Sequence, residues 1–466
     1  MTELKLDVPL TAKSLAKAFQ ARGHRLLLVG GWVRDALLGD THDDLDFATD
    51  AKPDASLEIL AKWGRAEPWT TGIEFGTVGS HKDGARIEVT TFRSEVYRED
   101  SRNPVVTFAD DLETDLSRRD FTINAMAMEL PDAVVIDPFG GAKDLATRLI
   151  RTPLGPEIAF SDDPLRMLRA LRFASTLDFE VDEELLGAIG QMHGRLQIVS
   201  RERIRDELSK LMLGRSPGAA LALAAETGLA GEFLPELPAL RLEQDPIHRH
   251  KDVFGHTLAV LEKVTVADAA EPDLALRLAA LLHDVGKPKT RQIGPKGVSF
   301  HHHEVVGANM TEARLRELRY PARLIEEVRE LVYLHLRFHT YRLGWTDKAI
   351  RRYVRDAGAL LGKLNTLVRA DCTTRNVERA RKLGHRMDEL EERISELAAK
   401  EELLRLRPAL DGNDIMEHLK VGPGRVVGEA LKFLMELRLD EGELNRETAV
   451  KRLDEWYEEN RPIPKC

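Results

Sequence analysis

The sequence predicts an α+β chain in which a mixed-sheet region comes first and helices fill the remainder. Three observations carry that expectation. Short apolar or alternating runs crowd the first 150 residues and read as strands: "LLLV" at 26–29, "DDLDFAT" at 43–49, "GTVGSH" at 76–81 and "ARIEVTTFR" at 85–93. From Pro164 onward the apolar spacing becomes helical, and "PLRMLRALRFAS" sets Leu165, Leu168, Leu171 and Phe173 near one stripe with its arginines on the other side. Beyond that point the strand signals reduce to one hairpin candidate, in "TRQIGPKGVSFH".

With 466 residues the chain is long for a single core, and a prior of roughly 150 residues per domain suggests about three units. Breaks in the helical pattern near Gly155, Pro235 to Pro246 and Asn376 divide it into 1–155, 156–240, 241–376 and 377–466. The composition, 43% hydrophobic and 31% charged, is that of folded domains without low-complexity tracts or fixed-period repeats. The N-terminus lacks the basic-then-apolar layout of a signal peptide, and no apolar run approaches the ~20 residues of a membrane helix. Two cysteines, Cys372 and Cys466, form no framework, so a reducing, cytoplasmic location is expected. The net charge of −10 argues against nonspecific nucleic-acid binding, yet the stretch from Leu165 to Arg215 is rich in arginine.

Alternate strand residues share a face, so Asp44 and Asp46 project together while Leu45 turns inward. Glu88, between Ile87 and Val89, could add a third carboxylate from a neighbouring strand. Divalent cations relieve the repulsion of such a cluster, and hard oxygen ligation suits Mg²⁺. Three carboxylates can hold two ions, the arrangement of nucleotidyl or phosphoryl transfer. Gly30-Gly31, at a strand-to-helix turn, would offer bare N–H groups and a positive dipole end to a triphosphate, with Arg34 and Asp35 bracing the turn.

In this order, "VGGWVRDALLGDTHDDLDFAT" resembles the class II tRNA nucleotidyltransferase (CCA-adding) and bacterial poly(A) polymerase family. The resemblance continues through "EVTTFRSEVY", "LSRRDFTINAMAM", "DPFGGAKDLATRLIR" and "DDPLRMLRALRF", and returns in "LDGNDIMEHLKVGPGRVVGEALKFL". It implies a polymerase β-like head, a helical neck, an HD domain and a C-terminal helical tRNA-binding region. It further implies an enzyme that adds or repairs the tRNA 3′-terminal CCA from CTP and ATP. Asp44, Asp46 and Glu88 would be its catalytic Mg²⁺ ligands. The nearest alternative is a poly(A) polymerase of the same family. An alternative of another class is an HD phosphohydrolase whose N-terminal half only binds RNA.

Nucleotide contacts are expected at Gly30, Gly31, Arg34, Arg118, Arg119, Asp120, Asn124, Asp163, Arg166, Arg169 and Arg172. Cytosine and adenine both present an amino donor beside a ring-nitrogen acceptor, which an acid next to an arginine complements. Asp163 and Arg166, three apart on an expected helix, would by resemblance be that pair; an ordinary i,i+3 ion pair is the bland alternative. Arg118 and Arg119 suit either a triphosphate or a helix-start ion pair with Asp115 or Glu113. Arg166, Arg169 and Arg172 could grip RNA or simply form a wet face. The polar stretch 93–117 occupies the position of the family's flexible loop.

Past residue 245, "VFGHTLAVL", "LLHDVGKPKTR" and "LVRADCTTRN" give His256, His283, Asp284 and Asp371, which resemble the H…HD…D ligand set of HD-type metal phosphohydrolases. His-Asp after an apolar helical run would be costly to bury unless a metal or hydrogen bond compensates. His303 and His335 are candidate ligands for a second ion. The metal is not identified by the sequence. Lys287 suits either a phosphate or a helix C-terminus. By resemblance such a module would hydrolyse phosphate esters, 2′,3′-cyclic ones included.

Overall fold

The computed structural model describes residues 8–460 except 41–42, 65–66, 97–104, 109–110, 243–251, 296, 341–344, 373–376, 402 and 404–405. The seam expected near Asn376, and Cys466, lie outside the described residues. The chain forms two compact units, Met1–Pro238 with Glu317–Arg319, and Ala239–Arg316 with Tyr320–Cys466.

A mixed six-stranded sheet organises the start of the first unit. Its strands are β1 (Leu26–Val29), β2 (Asp44–Thr49), β3 (Thr77–Lys82), β4 (Ala85–Thr91), β7 (Ala127–Glu129) and β8 (Val134–Ile136), in the order β3-β4-β2-β1-β7-β8. β2 runs parallel to β4, and the other neighbours are antiparallel. All four β1 side chains are buried, which is why that central strand reads as an unbroken apolar run. β2 and β4 have one open face, so they alternate: buried Leu45 sits between exposed Asp44 and Asp46, and buried Ile87 between Arg86 and Glu88.

Register decides what is available for chemistry. β1 pairs with Phe47, Ala48 and Thr49 of β2, whereas β4 pairs along all of Asp44 to Thr49. The aspartate end of β2 thus runs past the β1 pairing and keeps β4 at its other side. β1 is followed by Gly30, whose φ of +68° turns the chain into the helix Gly31–Leu38. A residue with a Cβ would be strained at that turn.

The expectation of a polar loop over 93–117 is corrected at its ends. β5 (Arg93–Val96) pairs antiparallel with β6 (Val105–Phe108), and the helix Leu112–Ser117 follows, capped by Asp111, which accepts from the Thr114 N–H at 3.0 Å. The apolar "VVTF" run supplies the second strand. Residues 97–104 and 109–110 lie outside the described part.

Helices then take over as expected, with Pro156–Asp162, Leu165–Leu177, Glu183–Met192, Arg201–Met212 and Pro217–Glu226 completing most of the unit. Leu165, Leu168, Leu171 and Phe173 are buried as their spacing predicts. The facing arginines do not form a wet surface, however. Arg166 is buried against the Arg118 carbonyl, and Arg169 and Arg172 are half-buried, because acidic partners on neighbouring elements receive them.

Among the described residues the second unit is helical apart from the expected hairpin, Arg291–Gly294 with Gly297–Phe300. Its principal helices around the histidines are Val253–Ala267, Leu274–Leu282, His303–Glu317, Ala322–Leu334 and Leu361–Asp371. The last three helices, Gly412–Leu419, Arg425–Glu441 and Arg446–Asn460, share an apolar cluster that includes Ile415, Leu434 and Leu453.

Candidate functional site

The head carboxylates fall where alternation places them. Asp44 and Asp46 share the open face of β2, and Glu88 stands level with Asp46 on β4. Glu88 accepts from Arg86 Nη2 at 2.5 Å. Hard, solvent-facing oxygens in adjacent register fit Mg²⁺, with the Arg86 guanidinium competing for Glu88.

On the other side of Asp46 lies the glycine turn. Arg34, one turn into the helix, grips Asp35 through Nε and Nη2, both at 2.8 Å, and donates from Nη1 to Asn124 Oδ1 at 2.8 Å. These bonds tie the helix that follows the turn to the loop that carries Asn124. Arg119 stands over the turn: a Cβ on Gly30 would lie 3.2 Å from its Nη1.

From Asn124 a chain of charged groups leads into the helical neck. Asn124 Nδ2 donates to Asp120 Oδ1 at 3.0 Å, and Arg169 reaches Asp120 Oδ2 through Nε at 3.0 Å and Nη2 at 2.5 Å. Arg169 Nη1 then donates to Glu207 Oε1 at 3.1 Å, and Arg172 Nε to Glu207 Oε2 at 2.9 Å. Burial works to raise the Asp120 pKa, but Arg169 and the hydrogen bond from Asn124 outweigh it and hold the carboxyl at about 2. Phe173 serves as the apolar floor, with the Arg34, Arg169 and Arg172 guanidiniums 5.2, 5.7 and 3.5 Å from its ring centroid.

Arg118 and Arg119 both donate to buried Asp115, at 2.7 and 3.2 Å through their Nη2 atoms. The ion-pair partner is therefore Asp115, one of the two acids expected, in the first turn of the helix Leu112–Ser117 that Arg118 and Arg119 follow. Asp163 and Arg166 require a larger correction. They do not share a helix, since Asp163 has extended backbone between the helices Pro156–Asp162 and Leu165–Leu177. Asp163 accepts from Arg203 Nη2 at 2.6 Å, and Arg166 Nη2 donates to the Arg118 carbonyl. The i,i+3 ion pair is absent among these described residues. Pro164, which cannot supply a helical N–H, accounts for the break.

Sequence reasoning missed two supports. Glu207 looks like one more acid on an amphipathic helix, yet it is buried between two arginines. Asp144 accepts from Thr122 Oγ1 at 2.6 Å and from Arg151 through Nε and Nη2, at 3.0 and 2.9 Å, which ties the "DPFGG" turn block to the loop that carries Asn124. The tight fit of Gly141, where a Cβ would lie 2.1 Å from the Thr122 carbonyl, is the signal that joins them.

The second unit gathers all six expected ligands. Among the described residues, His256, His283 and Asp371 form one convergent group and Asp284, His303 and His335 another, each with ligand atoms within 4.8 Å of one another. Asp284 faces both: Oδ2 lies 3.3 Å from His283 Nε2 and Oδ1 lies 3.4 Å from His303 Nε2. His283, His303 and His335 each donate Nδ1–H to the carbonyl three residues earlier, those of Ala280, Phe300 and Val332, at 2.8, 2.8 and 2.6 Å. A carbonyl can only accept, so the proton is fixed on Nδ1 and the Nε2 lone pair is aimed inward. All three Nε2 atoms are buried without a hydrogen-bond partner. Burial holds His335 at about 3, as a neutral ring; at His283 the same effect is outweighed by Asp284, which raises that pKa. Orphaned imidazole nitrogens beside carboxylates fit a divalent metal such as Zn²⁺, Mn²⁺ or Fe²⁺.

Lys287 neither closes a helix nor stands free for phosphate; its Nζ donates to Asp284 Oδ2 at 2.5 Å. Gly286 allows the approach of the His303 helix, since a Cβ there would lie 2.2 Å from the His303 carbonyl.

The sheet, its strand-glycine-helix turn and the paired aspartates define a nucleotidyltransferase head. Residues 26–151 match the poly A polymerase head domain, 178–240 the RNA- and SrmB-binding region described for polymerase A, and 253–400 the HD domain. An A-adding tRNA nucleotidyltransferase of Deinococcus radiodurans is 35% identical over 424 residues, which cover 88% of this chain and 91% of that protein. A CCA-adding enzyme of Anoxybacillus flavithermus is 44% identical over 233 residues, spanning only 50% of this chain and 57% of its own. The Bacillus stearothermophilus CCA-adding enzyme solved with CTP superposes with a TM-score of 0.67 at 28% identity, covering 97% of this chain and 99% of that one. The chain belongs to the tRNA nucleotidyltransferase and poly(A) polymerase family. Among the described residues no helix is long and apolar enough to cross a membrane.

Proposed function

We propose that this enzyme builds or repairs the 3′-CCA end of tRNA from CTP and ATP. The observation that carries this reading is the continuous path from the glycine turn through Arg34, Asn124, Asp120 and Arg169 to the neck helix. It links the place where a triphosphate would sit to the place where a base would be selected. The Gly30-Gly31 turn and Arg119 bind the phosphates. Asp163 and Arg166, at the junction of two helices, present an acceptor and a donor to the pairing edge of cytosine or adenine. Uracil and guanine would leave those groups mispaired, at a cost on the order of 1–3 kcal/mol per contact.

Asp44, Asp46 and Glu88 would hold Mg²⁺, which when bound supplies acidity to the RNA 3′-hydroxyl and charge for the departing pyrophosphate. The residues then have only to align the nucleotide, so no general-base side chain is required. The test is to supply tRNA lacking one, two or three terminal nucleotides with each nucleoside triphosphate and Mg²⁺, then sequence the products. Extension that stops at CCA is expected. A long A tail would overturn the reading.

One observation favours a narrower second reading: the relative matched over 88% of the chain is an A-adding enzyme. Addition of A to a CC end, with no C added to shorter ends, would select it. For the second unit we propose a metal-dependent phosphohydrolase site at the six clustered ligands, supported by the three partnerless Nε2 atoms. Hydrolysis of a 2′,3′-cyclic phosphate RNA end by wild type but not by His283→Ala tests it.

A further inference from the structure

The open face of the sheet does not end at the carboxylates. On its far side from the glycine turn, β3 pairs with β4 so that Gly79 stands opposite Glu88 and His81 opposite Arg86. Trp69 extends the sheet by one further bridge, its backbone exchanging hydrogen bonds with Gly79 at 2.9 and 3.0 Å. Paired residues point to the same face, so the indole lies on the face that carries Asp46 and Glu88. It occupies the space a side chain at Gly79 would need: a Cβ there would fall 2.1 Å from the ring. The His81 ring packs 4.7 Å from it, and the Arg86 guanidinium is 5.8 Å from its centroid. Trp69 is half-buried and His81 exposed, so this aromatic group retains an open side.

Across the face the order is therefore Trp69 over Gly79, then Glu88, then Asp46, then the Gly30-Gly31 turn. In nucleotidyl transfer the attacking and leaving oxygens are nearly in line. If pyrophosphate departs toward the glycine turn, the attacking 3′-oxygen must arrive from the opposite side, over β4 and β3. Strands lie about 4.8 Å apart, which puts Gly79 roughly 10 Å from Asp46 and leaves room for a ribose between the indole and the reacting centre.

We propose that Trp69 is the stacking platform for the terminal base of the RNA that is being extended, with Arg86 beside it facing the adjoining phosphate. This inference rests on the nucleotidyl-transfer reading above. Stacking is indifferent to base identity, which suits an acceptor end that changes with each added nucleotide.

The test is steady-state kinetics of wild type, Trp69→Ala, Trp69→Leu and Trp69→Phe, varying truncated tRNA at saturating triphosphate and then the reverse, with melting temperature as a control. Loss of one stacked base should raise the KM for tRNA about tenfold in Trp69→Ala and Trp69→Leu. Trp69→Phe should stay near wild type, and the KM for the triphosphate should not move in any variant. An unchanged KM for tRNA in Trp69→Ala, or a Trp69→Leu enzyme as good as Trp69→Phe, overturns the proposal while leaving the parent reading intact. A wild-type protein that extends no tRNA overturns both.

Discussion

Arg169 closes on Asp120 with two hydrogen bonds to a single carboxylate oxygen, across 49 residues of sequence, and so joins the sheet region to the neck helix. The other Asp120 oxygen holds Asn124. Both residues are half-buried, and removing one partner would strand the other.

The pH dependence of stability follows from that pair. The folded Asp120 has a pKa lowered from 3.8 to about 2, so it binds its proton less readily than in the unfolded chain. Its contribution, about 2 kcal/mol, is complete above the unfolded pKa and disappears as the pH falls from about 4 through 2. Urea denaturation of wild type and Asp120→Asn across that range should show the difference between them shrinking toward acid.

Gly30→Ala should impair triphosphate use without unfolding the head. The positive φ costs an alanine about 1 kcal/mol, and its Cβ would press on the Arg119 guanidinium. A several-fold rise in the KM for ATP and CTP, with the KM for tRNA unchanged, is the expected kinetic pattern.

Asp44→Ala and Asp46→Ala should each lower extension by at least about 10²-fold, the scale of losing a charge-stabilising group in a transition state. Both residues are exposed, so stability should shift by no more than about 0.5 kcal/mol. Matched extension assays and thermal melts separate the two effects.

Asp163→Ala should lower kcat/KM for CTP and ATP by roughly 10- to 100-fold and leave the poor use of UTP and GTP almost unaltered. Single-nucleotide incorporation with each triphosphate measures the ratio. Equal losses for all four would remove Asp163 from base selection.

Chelation should lower the melting temperature of the second unit, and excess Mn²⁺ should restore it. Ligand at 100 times its dissociation constant stabilises by about 2.7 kcal/mol. His335→Ala should abolish that response, which calorimetry and metal analysis of the purified protein would both detect.

Much of this architecture was legible because it depends on local periodicity. Leu45 between two aspartates, and Ile87 beside Glu88, disclose a one-sided strand from alternation alone. The His283-Asp284 pair was legible because two polar groups after an apolar helical run are costly to bury, whereas His256 and Asp371 were legible only through the resemblance to the H…HD…D ligand set. Asp163 and Arg166 were misread as helix neighbours because Pro164 interrupts the helix between them. The arginine stripe was misread because its partners, Asp120 and Glu207, lie 49 and 38 residues from Arg169. Periodicity reveals which face a side chain takes, but not what the fold brings against it. Trp69 gave no signal, since its meaning comes from a glycine on the next strand.

The backbone carbonyls that hold His283, His303 and His335 have a kinetic consequence. Each ring is oriented by its own stretch of chain, so ion capture demands little rearrangement of the coordinating groups. The rate of loading should then be set chiefly by how quickly the incoming cation sheds its water, and sluggish Ni²⁺ should enter more slowly than labile Mn²⁺ even if it is finally held more tightly.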